Sequence, residues 1–120
     1  MALSAGERSR EPAKEKDKDG LRITDQFRGK GGMTYDFRGG GERLTLCFAP
    51  RTNSEDAGEW RAEARSGKAT EVAVVAEWGS TRADALRAVG ASWEANTDVA
   101  KFPRFDWEHV ERALTAVRAL

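Results

Sequence analysis

The chain has 120 residues, with twenty basic and twenty acidic side chains, one His, one Cys, three Pro and twelve Gly, so its formal charge is zero. Its length bounds it at one domain. A lone Cys excludes an intrachain disulfide and a thiolate zinc cage, and a lone His excludes sites that need several imidazoles at one point.

No run approaches the roughly 18 apolar residues a membrane helix needs. The opening MALSAGERSREPAKEK lacks the apolar stretch of a secretory signal. A cytoplasmic protein with no membrane partner is the expectation. Residues 1–20 hold ten charges, five of each sign, with almost nothing to bury, so they read as a disordered charged tail. Residues 21–32 read as a Gly-rich basic linker, and 33–120 as a single domain.

Seven of the twelve glycines fall in 20–41, where Arg22, Arg28, Lys30 and Arg38 outnumber Asp25 and Asp36. Phe-Arg-Gly occurs twice, at Phe27-Arg28-Gly29 and Phe37-Arg38-Gly39. Gly29-Lys30-Gly31-Gly32 lacks the spacing of a phosphate-binding loop. The segment 22–43 does suit single-stranded nucleic acid, with Phe27 and Phe37 stacking on bases and Arg28, Lys30 and Arg38 meeting phosphates. Four basic groups on a neutral chain make such binding weak, because affinity rests on counterion release.

Further on, Tyr35 and Phe37, the Gly39-Gly40-Gly41 turn, and Leu44, Leu46 and Phe48 spell a hairpin with a two-residue period. Residues 50–58 form a polar loop. Trp60, Ala62 and Ala64 then alternate with Arg61, Glu63 and Arg65, which puts the Trp face inward. After a turn at Ser66-Gly67-Lys68, Val72, Val74, Ala76 and Trp78 supply the face of a further strand, against Val75 and Glu77. The result is a three- to four-stranded antiparallel sheet.

Two amphipathic helices follow. Thr81, three residues before Asp84, caps the first, whose stripe is Leu86, Val89 and Trp93. Gly90 inside it is tolerable if it permits close packing on the sheet. Asn96 to Arg104 is a connector, with Pro103 holding Phe102 extended. Asp106 caps the last helix, along which Trp107, Val110, Leu114 and Val117 recur at helical spacing. The fold class is α+β.

Residues 42–93 resemble the HicB-like antitoxin domain, a β-β-β-α module. The likeness is carried by Gly58-Glu59-Trp60-Arg61-Ala62-Glu63-Ala64 and by Glu77-Trp78-Gly79-Ser80-Thr81-Arg82-Ala83-Asp84-Ala85-Leu86. The resemblance implies a module that binds another macromolecule without catalysis.

His109 with Glu108 and Glu111 could approach a metal at helical spacing, but three ligands and their supports are not evident, so a surface or interface role is expected. Cys47 reads as a structural strand residue. Neither suggests a reaction, and no metal, cofactor or catalytic residue is expected. The four Trp fall in apolar phases and default to the core. A sheet has two faces and one helix covers only one, so the stripe Trp107, Val110, Leu114 and Val117 is the expected partner-binding surface. The functional expectation is a small regulatory module that binds a protein, or itself as a homodimer, through the sheet edge or the C-terminal helix. Nucleic-acid binding through 22–43 is the alternative.

Overall fold

The computed structural model describes residues 20–29, 32–50, 59–68 and 71–120. Five strands, β1 (Arg22–Gly29), β2 (Gly32–Gly39), β3 (Glu42–Pro50), β4 (Trp60–Lys68) and β5 (Glu71–Gly79), precede helices α1 (Arg82–Ala95) and α2 (Trp107–Ala116). The strands form one antiparallel sheet in chain order, β1-β2-β3-β4-β5. The α+β architecture therefore stands, with five strands where three or four were expected. The charged tail lies outside the described residues, apart from Gly20.

The additional strand is β1, in the stretch read as a linker. Its sequence shows no clean two-residue period because a bulge between Ile23 and Asp25 interrupts the register with β2. As an edge strand it buries little, and only Ile23 leaves the exposed class. Between β2 and β3, Gly40 and Gly41 take φ of 60° and 80°. A two-residue turn closing the Gly39 and Glu42 pair needs positive φ at both positions, which glycine adopts without a Cβ penalty. The β4–β5 turn falls later than the sequence suggested, since pairing continues to Lys68 and Glu71.

The helices cover one face. Beneath them lie Tyr35, Phe37, Leu44, Leu46, Phe48, Ala62, Ala64 and Ala73, all buried. The large side chains sit on β2 and β3, and the alanines of β4 and β5 let α1 lie close on those strands.

On β5 the inward phase is the opposite of the expected one. Register places Val75 opposite Ala64 and Ala73 opposite Ser66, so these two turn to the helices. Val72, Val74 and Trp78 face away and are exposed. Trp78 is therefore not a core residue. The physical reason is steric: α1 approaches β5 closely, and the small side chains occupy the side it needs.

Both helix caps form as expected. The Thr81 hydroxyl accepts from the Asp84 amide at 3.0 Å, and the Asp106 carboxylate from the His109 amide at 3.1 Å. Gly90 serves a close approach, but to α2: a Cβ there would lie 3.1 Å from the Trp107 ring. Past α2, Arg118 takes a left-handed φ of 61°, and the Ala119 amide donates to the Leu114 carbonyl at 2.8 Å, which closes the helix end.

Trp93 is the hub where the two helices meet. It is fully buried, its ring lies 5.0 Å from Phe102, 5.8 Å from Phe105 and 6.1 Å from Trp107, and its Nε1 donates to the Pro103 carbonyl at 2.8 Å. Arg87 bridges to Glu111 at 2.7 Å, tying α1 to α2. Hydrogen bonding and attraction to Glu111 raise its pKa further, so the guanidinium stays charged at any ordinary pH.

Candidate functional site

The uncovered face of the sheet is laid out by the register in four cross-strand rows. Arg22, Arg38 and Arg43 share the first, on β1, β2 and β3. Asp25, Asp36, Thr45, Arg65 and Val74 form the second, and Phe27, Thr34, Cys47, Glu63 and Ala76 the third. In the fourth, Ala49, Arg61 and Trp78 succeed one another on β3, β4 and β5.

The middle of this face is a network of charges that satisfy one another. The Thr45 hydroxyl donates to Asp36 Oδ1 at 2.7 Å, and Arg43 Nη2 reaches the other oxygen at 3.4 Å. On β4, Glu63 is held between its same-face neighbours, by Arg61 at 3.0 Å and Arg65 at 2.6 Å. Burial raises the Glu63 pKa, but the hydrogen bonds and charges of Arg65 and Arg61 together outweigh it and leave the carboxyl below its ordinary value. A carboxylate depressed in the folded state contributes stability above its unfolded pKa and loses it as pH falls through the folded one. The clamp therefore persists at neutral pH and releases in acid.

The apolar groups stand at the flanks. Phe27 on β1 is 49% exposed, and on β5 Val74 and Trp78 are 44% and 50% exposed. Both flanks are edges of the sheet, yet the two edges differ. β1 carries Arg22, Asp25 and Arg28 and a bulge, devices that discourage strand pairing. β5 has no bulge, and its two charges, Glu71 and Glu77, lie toward its ends. From Val72 to Ala76 it is wholly apolar, it holds no proline, and its register with β4 runs without a shift from Trp60 and Gly79 to Lys68 and Glu71. Among the described residues its outer backbone groups have no strand partner.

The expected partner-binding stripe on α2 is different in kind. Val110 and Leu114 are fully buried in the chain's own core, and Trp107 is half-buried against Trp93 and Phe105. Of the four only Val117 is exposed. Because α2 shares the helix layer with α1, most of its apolar stripe is covered within the chain.

The nucleic-acid set is also divided. Phe37 is fully buried beneath the helices and presents no ring to a base. Phe27 and Arg38 are exposed on the uncovered face, whereas Arg28, paired with Met33, belongs to the helix side. Lys30 lies outside the described residues. Sequence reasoning missed Arg43, Arg61 and Arg65 as companions of Arg38. Their alternation with Leu44, Ala62 and Ala64 was the signal that could have grouped them.

His109 has a structural partner: its Nε2 lies 2.6 Å from the Leu21 carbonyl oxygen and joins α2 to the entry of β1. Cys47 is half-buried on the uncovered face. Among the described residues no three His, Cys, Asp or Glu side chains converge on a metal site, and no helix is long and apolar enough to cross a membrane. In comparisons with known proteins, the chain matches no family model, no curated protein and no solved structure.

Proposed function

We propose that the chain is a small non-enzymatic interaction module that accepts a protein strand along the free edge of β5, its partner being a second copy of itself. The observation that carries this reading is the unprotected edge: an apolar, regular strand at the end of a sheet whose other edge is bulged and charged. Such an edge templates strand addition, in which main-chain hydrogen bonds supply affinity and alternate side chains supply specificity.

Antiparallel pairing about Val75 suits two copies. It sets Trp78 of each over Val72 of the other and Val74 beside Ala76, and it keeps Glu71 and Glu77 from meeting their like. The order β3, β4, β5, α1 is also the order of parts in the HicB-like resemblance, which supports binding over catalysis.

Val74→Lys tests it. Val74 is exposed, so the fold tolerates the change, but in the dimer two lysines would stand near the centre of the seam. Sedimentation equilibrium is expected to show a dimer for the native chain and association weakened by at least about tenfold, or about 1.4 kcal/mol, for the variant. A native chain that stays monomeric at every concentration overturns the reading.

A second reading rests on the row Arg22, Arg38 and Arg43. Arg38 and Arg43 stand directly opposite one another, an unfavourable like-charge pair that Asp36 offsets on the Arg43 side, and a polyanion laid across Arg38 relieves it further. Phe27 and Trp78 on the same face offer stacking surfaces for single-stranded nucleic acid. Gel retardation of an oligonucleotide is expected to weaken steeply with salt and to vanish for Arg38→Ala with Arg43→Ala. No retardation at low salt removes this second reading.

A further inference from the structure

Opposite the uncovered face, at the end of the sheet where β1 turns into β2, the helix side holds a cavity of about 420 Å3. That volume is in the range of small-molecule sites, roughly 300 to 1,000 Å3. Met33 and Phe48 line it with Trp60, and Arg28 and Arg82 also border it.

Two features go unexplained by packing alone. Arg82 holds its guanidinium carbon 4.8 Å from the centre of the Trp60 ring, and neither it nor Arg28 makes an ion pair among the described residues. Arg82 is also the first residue of α1, where a positive charge opposes the helix dipole and an anion would be favoured. Tyr35, largely buried as a residue, stands edge-on to Phe48 and lines the same cavity.

From these we infer that the cavity binds a small organic anion, a compact aromatic or aliphatic body with a single acidic headgroup. The body lies against Met33, Phe48 and Trp60. The headgroup meets the guanidiniums of Arg28 and Arg82, which can grip an acid through paired N–H donors, and the Tyr35 hydroxyl supplies a further polar contact. This site is independent of β5 and of the strand-pairing proposal, since the two occupy opposite faces of the sheet.

The probe is 1-anilinonaphthalene-8-sulfonate, followed by its fluorescence, against the neutral N-phenyl-1-naphthylamine. The native chain is expected to bind one equivalent of the sulfonate saturably and the neutral compound about tenfold more weakly. Arg28→Gln and Arg82→Gln are each expected to weaken the sulfonate by about tenfold, the scale of one charged hydrogen bond. Glu94→Gln, exposed on α1 and away from the cavity, should leave it unchanged. Arg28 is exposed, so its variant retains the fold, and circular dichroism verifies this for both. Equal affinity for the two probes, or sulfonate binding untouched in folded Arg28→Gln and Arg82→Gln, overturns the site.

Discussion

Trp93→Ala is expected to cost about 4 kcal/mol of folding stability, within the range for emptying a fully buried aromatic site. The loss has three physical parts. The indole leaves a cavity between α1 and the segment from Phe102 to Trp107, and the ring contacts with Phe102, Phe105 and Trp107 vanish together. The Pro103 carbonyl also loses the Nε1 donor that satisfies it. Small domains are stable by roughly 5 to 15 kcal/mol in total, so the variant should be unfolded or nearly so at moderate denaturant. Chemical denaturation followed by far-ultraviolet circular dichroism measures it, with Trp93→Phe as the comparison that keeps a ring and surrenders the bond. A cost under about 1 kcal/mol for the alanine would mean that the helix layer does not depend on this hub.

Gly79→Ala is expected to cost about 3 kcal/mol. A Cβ on Gly79 would sit 2.7 Å from the Asp84 carbonyl carbon, 2.8 Å from the Ala85 Cα, and closer still to the Ala85 nitrogen. All three are backbone atoms of the first turn of α1, so no side-chain rotation makes room, and the helix must lift from β5. Overpacking of this kind ordinarily costs about 1 to 3 kcal/mol, and more where the backbone itself is in the way. Gly29→Ala is the control, because a Cβ there would meet only the Gly32 carbonyl oxygen, at an ordinary 3.8 Å. If the two substitutions have equal effects on the denaturation midpoint, the close seating of α1 on the sheet is wrong.

The parts of this architecture that were legible in the sequence are those where one residue type answers one local need. Thr81 and Asp106 accept the amide hydrogens that begin the helices, the glycines at 40 and 41 supply positive φ, and Leu44, Leu46 and Phe48 mark an inward face by size and period. What escaped was what depends on neighbours. The bulge at Ile23 hides the period of β1. On β5 the wholly apolar set faces outward, and Glu77 on the inward side is taken up by the Ser92 hydroxyl, so composition points the wrong way until α1 is seated. The candidate surfaces suffered most. The stripe on α2 is apolar for the sake of the core, and Phe37 stands beside the arginine of a Phe-Arg-Gly triplet while its ring is packed out of reach.

The unbroken chain order of the sheet bears on how the molecule reaches its native state. Every strand finds its mate in the next segment of polypeptide, so hairpin after hairpin can zip with little loss of loop freedom, and such local pairing favours rapid folding for a β-rich chain. One step is of another kind: His109 must meet the Leu21 carbonyl across a sequence separation of 88 residues. That long closure makes the arrival of the last helix the natural final event, and it couples the first strand to the last helix as a single cooperative clasp.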